Sequence, residues 1–212
     1  FVLAARLETA VKRARPECTA EFLPPVSARR PAASTRDRLR RSRLYLPGTQ
    51  PRLFLNAGLH RPDGVILDLE DAVAPAEKDA ARALVRNALR VVDFGDAERM
   101  VRINQGQAGL ADLAWVIPHG VDLILVPKVE DPDQVTAAAE AIAALAPDRE
   151  VFLMPIIESA LGAWKAYEIA AAHPAVVALA IGLEDYTADI GAQRTLEGTE
   201  SFWARVPCSA SP

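Results

Sequence analysis

The chain of 212 residues is 50% hydrophobic and 25% charged, with a formal net charge of −4. That length supports one sizeable domain with a full core, and the balance is ordinary for a globular protein. No apolar run approaches the roughly 18 residues that a membrane-spanning helix needs, so a membrane partner is not expected. The charge is uneven: residues 1–43 hold 11 Lys/Arg against 4 Asp/Glu, and the rest hold 13 against 24. An acidic body thus follows a basic leader. Cys18 and Cys208 stand near opposite ends without CxxC spacing, which argues against a disulfide framework and for a reducing compartment. The first residue is Phe, and the Arg-rich start lacks the apolar stretch of a secretory signal.

Residues 1–15 have helical spacing, with Val2, Leu3, Leu7, Ala10 and Val11 on one side. Residues 16–37 carry four prolines and no period, and they read as a linker. The leader is therefore 1–40. The basic run from Arg36 to Arg43 has no interleaved aromatics, so it reads as a solvated linker end rather than a nucleic-acid surface.

From Arg43 the pattern alternates between strand and helix. RLYLPG (43–48) is a strand closed by a Pro-Gly turn, and a helix follows at 51–58. Residues 65–69 are a buried strand, 76–92 a helix, 99–104 a strand, 109–118 a short helix and 121–128 an apolar strand. The helix at 131–146 has Asp131 as its N-cap and Pro132 in its first turn. Two further strands, 151–157 and 176–181, each precede a helix and end in carboxylates: Glu158 after the first, Glu184 and Asp185 after the second.

These six strand-helix units, with short and continuously apolar strands, predict a parallel sheet covered by helices. No GxGxxG or Walker signature favours a doubly wound sheet. Polar residues instead gather at the strand ends: Asp68, Glu70 and Asp71; Arg102 and Asn104; Lys128 and Glu130; Glu158; Glu184 and Asp185. A (β/α)₈ TIM barrel keeps its chemistry there. The predicted class is therefore α/β, a barrel over 41–212 that is two units short of its end.

Glu158 and Asp185, on adjacent strand ends, suit a hard cation such as Mg²⁺, which takes oxygen ligands and keeps open positions. The alternative is that each caps the helix after it. Arg102 either clamps an acidic substrate or pairs with Asp68 or Glu70. Lys128 has the same two readings. Strand alternation directs Asp68 and Glu70 to one face, and Asp71 is placed to cap the turn after the strand. His60, His119 and His173 lie in loops or beside proline and are not expected in catalysis. Ser159 has no nucleophile-elbow glycines.

RSRLYLPG (41–48), GVILDLEDAV (64–73), the Lys78-to-Arg82 segment, VRIN (101–104), VPKVE (126–130), PIIESALG (155–162) and GLEDYTADIG (182–191) resemble, in order and spacing, the citrate lyase beta subunit-like proteins of the HpcH/HpaI aldolase and citrate lyase family. The resemblance implies a (β/α)₈ barrel in trimers or hexamers, cytoplasmic, using Mg²⁺ to cleave a carbon–carbon bond beside a thioester. It makes Glu158 and Asp185 the metal ligands and Arg102 the group that holds the substrate carboxylate or keto acid, such as oxaloacetate or glyoxylate. Glu70 and Asp71 would support that arginine and the metal's waters. Arg43, Pro47 and Gly48 would lie near the thioester carrier, CoA or a carrier protein. The implied reaction is retro-Claisen cleavage of a citryl- or malyl-type thioester into an acetyl thioester and a keto acid. A thioester hydrolase or aldolase on the same scaffold, or a catalytically silent interaction subunit, are the alternatives. The last residues, ESFWARVPCSASP, depart from the family pattern. FVLAARLETAVKRA is similar to the last helix of the small acyl carrier subunits of citrate lyase or malonate decarboxylase, which would imply a carrier–lyase fusion.

Overall fold

A computed structural model describes residues 34–209. The helical reading of 1–15 and most of the expected linker lie outside the described residues. Six strands, β1 (Arg43–Pro47), β2 (Gly64–Asp68), β3 (Glu98–Arg102), β4 (Leu123–Val126), β5 (Phe152–Ile157) and β6 (Ala180–Ile181), form one parallel sheet in chain order. Their neighbours are α1 (Pro51–Phe54), α2 (Lys78–Val91), α3 (Gly106–Val116), α4 (Pro132–Leu145), α5 (Ala160–Trp164), α6 (Ala166–Ala171), α7 (Leu183–Asp189) and α8 (Phe202–Ser209).

β2, β4 and β5 are buried on both faces, β1 is partly exposed, and alternation sorts their side chains. Ile66, Met100, Leu123, Leu125, Phe152, Met154, Ile156 and Ala180 make one cluster. The alternate residues, among them Val65, Leu67, Val101, Ile124, Val126, Leu153 and Ile157, join the helices in a second and larger cluster. The first cluster is the inside of a curled sheet. Across a flat sheet, β1 and β5 would stand about 19 Å apart at the usual strand spacing. Arg43 Nη1 on β1 nevertheless lies 3.0 Å from Met154 Sδ on β5. The sheet therefore bends round as six-eighths of a barrel does.

Element boundaries follow local chemistry. The α4 helix starts with a full capping box: the Asp131 side chain accepts from its first turn while Gln134 Oε1 accepts the Asp131 N–H at 2.9 Å. The expected helix at 51–58 breaks instead into α1 and a 3₁₀ turn at Ala57–His60. Gly58 there is pressed against the Phe94 backbone, where a Cβ would meet the carbonyl carbon at 2.9 Å. The expected strand 176–181 is also shorter. Leu153 bridges Val176, but Ile156 pairs with Ala180, so this strand spends one extra residue and bulges.

The basic run is solvated only in part: Arg36, Arg41 and Arg43 are exposed, while Arg38 and Arg40 are partly buried. The Arg40 side chain is 7% exposed and holds Glu98 through a two-pronged contact, Nε to Oε2 at 2.7 Å and Nη2 to Oε1 at 2.8 Å. Arg38 donates to the Asp63 and Asp96 carbonyls, and Arg36 to that of Val176. Glu98 begins β3 with 1% exposure, so it needs this partner. Residues 36–40 thus close the amino-terminal end of the sheet.

Candidate active site at the carboxyl ends of the strands

The parity that puts Ile66, Met100 and Ile156 inside the curl puts Asp68, Arg102 and Glu158 inside as well, one layer nearer the carboxyl ends. Asp68 and Arg102 are direct partners in the β2–β3 register. Their side chains meet fork to fork, Nε to Oδ1 at 2.7 Å and Nη2 to Oδ2 at 2.6 Å. Arg102 Nη1 is 2.8 Å from Glu70 Oε2 and 3.4 Å from Asp71 Oδ2. The Tyr45 ring lies under the guanidinium, 5.5 Å from its centre. Burial pulls the Arg102 pKa down, but the three carboxylates more than offset it, and the net direction is upward. The structural pairing with Asp68 and Glu70 is thus real, and the Asp71 contact is the loosest of the three.

Asp68 also accepts the backbone N–H of Glu70 at 2.9 Å and of Ala72 at 3.2 Å. It, and not Asp71, caps the turn after β2. Asp71 is exposed instead. Lys78 fastens the same turn by donating Nζ to the carbonyls of Leu69 and Glu70 at 2.7 and 2.5 Å. Gln105 Nε2 donates to Glu70 Oε1 at 2.8 Å. Glu70 Oε2 is buried and has no aligned hydrogen-bond donor despite its closeness to Arg102. Burial raises the Glu70 pKa, and Asp71 adds to the rise.

Glu158 follows β5 and is 7% exposed. It does not cap the helix after it. Ser159 does that, accepting from the Gly162 N–H at 3.1 Å. Glu158 Oε2 accepts the Lys128 N–H at 2.9 Å. Its other side lies against Gly182, where a Cβ would come within 2.5 Å of Oε1. Burial pushes the Glu158 carboxyl up to about 7, and the charges of Glu70 and Asp185 add to the rise. Asp185 sits in the first turn of α7 without capping it, and its Oδ2 is 3.4 Å from Lys128 Nζ. Glu184 points elsewhere, to Arg194.

Pro47 pairs with Asp68 across β1–β2, and the Gly48 N–H donates to the Asp68 carbonyl at 2.8 Å. A Cβ on Gly48 would meet that oxygen at 2.6 Å, so the chain passes this close only with glycine. Arg43 starts β1 four residues earlier and meets Met154. It makes no ion pair among the described residues. Asn104 is tied to the buried Asp112 at 2.8 Å through both its backbone N–H and its side chain, and so serves the loop after β3. His119 lies outside the site. Burial, then Arg90, Arg86 and Arg149, hold its imidazole down at about 4.

Glu158, Asp185 and Glu70 thus lie with Arg102 and Lys128 at the carboxyl ends of the strands, close enough to act on one another's charge. Among the described residues no three His, Cys, Asp or Glu side chains converge as a ready-made cage. A two-carboxylate site with open positions is the arrangement Mg²⁺ prefers. A carboxyl raised to about 7 by burial, with two other anions adding to the rise, and a buried carboxylate oxygen without an aligned hydrogen-bond donor fit a cation with its waters. Tyr45, Gln105 and Gly182 were not among the expected site residues. Only the period-2 parity of β1 and the position of Gly182 directly after β6 could have suggested them. A separate cavity of about 750 Å³ opens at the amino-terminal end, beside Arg38 and Asp63. Arg38 is already engaged by carbonyls there and Asp63 by Arg41 and Ser42, so it is not the candidate centre.

Residues 41–210 match the model of the HpcH/HpaI aldolase/citrate lyase family. Citrate lyase subunit beta of Leuconostoc mesenteroides subsp. cremoris is 38% identical over 180 residues, which are 80% of this chain and 58% of that protein. A (3S)-malyl-CoA thioesterase of Cereibacter sphaeroides is 41% identical over 155 residues, 72% of this chain and 52% of its own length. The chain thus spans little more than half of these curated relatives. Among solved structures, the citrate lyase beta subunit of Mycobacterium tuberculosis complexed with oxaloacetate and magnesium superposes with a TM-score of 0.64 at 31% identity, covering 80% of this chain and 73% of that one. Protein CitE of the same organism, in complex with magnesium, acetoacetate and coenzyme A, gives 0.59 at 35% identity, covering 80% and 60%. With six collinear strand-helix units matched to such folds and a family match across nearly all of the described residues, the chain belongs to the HpcH/HpaI aldolase/citrate lyase family.

Proposed function

We propose that this chain carries the magnesium-dependent carbon–carbon lyase site of a citrate lyase beta subunit-like enzyme, acting on a citryl- or malyl-type thioester. The observation that supports it most is the carboxylate cluster at the strand ends, with Glu158 buried and raised to about 7 and Glu70 Oε2 lacking an aligned hydrogen-bond donor. Glu158 and Asp185 would hold Mg²⁺. When bound, the ion would supply Lewis-acid polarisation of the substrate's hydroxyl or keto oxygen.

The chain's own groups account for the rest. Asp68 fixes the Arg102 fork on Nε and Nη2, and Nη1 is left between Glu70 Oε2 at 2.8 Å and the looser Asp71. Asp71, exposed and 3.4 Å away, is the contact that an incoming substrate carboxylate would replace. A guanidinium already oriented by Asp68 and Tyr45 loses little freedom on doing so. Glu70 is the acceptor for the hydroxyl proton, since burial raises its basicity and its Oε2, 2.8 Å from Arg102 Nη1, has no aligned hydrogen-bond donor. As that proton leaves, the carbinol carbon becomes the carbonyl of the keto acid. Its bond to the thioester α-carbon breaks, and the electron pair departs as the acetyl-thioester enolate, which then takes up a proton. Pro47 and Gly48 line the β1 side of the mouth. Arg43 would reach a carrier phosphate from the start of β1. We take the carrier to be CoA, the keto acid to be oxaloacetate or glyoxylate, and the assembly to be a cytoplasmic homo-oligomer.

The 41% identity to a malyl-CoA thioesterase favours a second reading, hydrolysis of the thioester by the same pocket. Incubation with Mg²⁺ and citryl-CoA or (3S)-malyl-CoA, with products separated by mass spectrometry, distinguishes the two. Acetyl-CoA with a keto acid supports the lyase. Free CoA with the intact hydroxy acid supports the hydrolase. Mg²⁺ binding without either product would leave a silent subunit. In the lyase reading, E70Q abolishes turnover while retaining Mg²⁺ binding.

A further inference from the structure

We propose that Gln105 is the positioning residue for Glu70: it fixes the plane of the buried carboxylate so that Oε2 faces the reacting hydroxyl. The inference rests on the reading of Glu70 as the proton acceptor of the lyase. The Glu70 backbone is already held on both sides. Its N–H donates to Asp68 Oδ1 at 2.9 Å, and its carbonyl accepts from Lys78 Nζ at 2.5 Å. What remains free is rotation of the side chain. Arg102 Nη1 lies 2.8 Å from Oε2 but is not aligned for a hydrogen bond, so it attracts the carboxylate without orienting it. The donation from Gln105 Nε2 to Oε1 at 2.8 Å is the one aligned hydrogen bond to the Glu70 carboxylate among the described residues.

Gln105 forgoes a different task to make this contact. It occupies the N-cap position of α3, yet its side chain makes no capping hydrogen bond. Asparagine, aspartate, serine or threonine is the ordinary occupant there, because a short side chain reaches the helix's own N–H groups. The longer glutamine reaches outward instead, to the turn after β2, 35 residues back along the chain. Its base is firm. The preceding Asn104 is tied to the buried Asp112 at 2.8 Å through both its backbone N–H and its side chain. The following Gly106 bends the chain into α3 at φ +56°, where a Cβ would meet nothing within 4 Å, so the backbone and not packing calls for glycine. An amide on an anchored loop suits a base. It orients the carboxylate by a neutral hydrogen bond, whereas lysine or arginine would pair with it and weaken its basicity.

The test is steady-state turnover of citryl-CoA or (3S)-malyl-CoA with Mg²⁺ by wild type, Q105M, Q105N and E70Q. Q105M keeps the length of the stem and removes the donor. Q105N keeps the amide but shortens the arm by about 1.5 Å, so it no longer reaches Glu70, while it suits the N-cap of α3. Both should lower kcat about 10–100-fold and leave KM and the Kd for Mg²⁺ within about twofold of wild type. Q105N should melt at or above the wild-type temperature, which separates lost positioning from lost folding. A glutamine serving only its own loop would leave the kcat of Q105N at the wild-type level, and that result, or a loss carried in KM, overturns the proposal. If wild type releases no acetyl-CoA and keto acid, or E70Q turns over normally, the lyase reading of Glu70 is refuted and this inference with it. An active wild type and an inactive E70Q, with both Gln105 variants at wild-type kcat, refute the positioning role alone.

Discussion

The substitution Gly182→Ala tests the geometry of the proposed metal carboxylate in one step. Gly182 has φ −94°, which alanine adopts freely. On backbone grounds alone, Gly→Ala here should stabilise the fold by about 0.4–1 kcal/mol. The packing predicts the opposite sign. An added Cβ would stand 2.5 Å from Glu158 Oε1 and 2.6 Å from its Cγ, so the side chain must retreat by about 0.9 Å to reach ordinary contact. That retreat pulls Oε2 from the Lys128 N–H at 2.9 Å. A charge-assisted hydrogen bond and an overpacked contact each contribute about 1–3 kcal/mol, so after the backbone gain a net loss of about 1–5 kcal/mol is expected. Metal ligation tolerates shifts of only about 0.2 Å. The Kd for Mg²⁺ should therefore weaken by roughly 10–100-fold, as for other changes that reorient a ligand. Urea denaturation followed by circular dichroism gives the first quantity and calorimetry the second. A variant at least as stable as wild type, with unchanged Mg²⁺ affinity, would refute the packing of Glu158 against Gly182.

Other perturbations probe the neighbouring contacts. Arg102→Met leaves Asp68 and Glu70 buried without their cation and should cost about 3–5 kcal/mol in urea denaturation, while Arg102→Lys recovers only part because a single ammonium cannot reproduce the fork. Arg40→Ala strands Glu98 at the other end of the sheet, with a loss of similar size. A change under about 1 kcal/mol would return residues 36–40 to the status of a linker. Stability in EDTA should also depend on pH. Folded protein keeps the Glu158 proton up to about 7, whereas the unfolded chain releases it near 4.5. The folded state therefore binds more protons in that window, so this group's contribution is complete below about 4.5 and is lost as pH rises to about 7, by at most ~1.4 kcal/mol per unit. Mg²⁺ must displace the same proton. Its Kd should tighten with rising pH across the window and level off above it. A flat profile in calorimetry between about pH 5 and 8 would contradict the burial of Glu158.

The alternation of apolar strands with helices was legible in the sequence because parallel strands buried on both faces cannot hide their composition. The strand-end location of Asp68, Arg102 and Glu158 came from the same reading. What composition could not supply was the third dimension at each end. The Asp68–Arg102 fork depends on a cross-strand register, and the capping of α5 by Ser159 instead of Glu158 depends on which oxygen faces the helix axis. The short β6 reflects a bulge that hydropathy does not record. Arg40 looked like part of a solvated run because its partner, Glu98, is 58 residues away in sequence. Lys128 was visible as a charge at a strand end, but its left-handed backbone, at φ +50°, was not.

Whether Glu158 and Asp185 bind a divalent cation beside a keto-acid site is decided by calorimetric titration. The purified chain is titrated with Mg²⁺ and then oxaloacetate, next to the E158A/D185A double variant. Wild type should bind Mg²⁺ saturably and should bind oxaloacetate only once Mg²⁺ is present. The double variant should lose both while remaining folded by circular dichroism. A folded wild-type chain that binds no Mg²⁺, or a double variant that binds it equally well, would contradict the assignment of the metal pair.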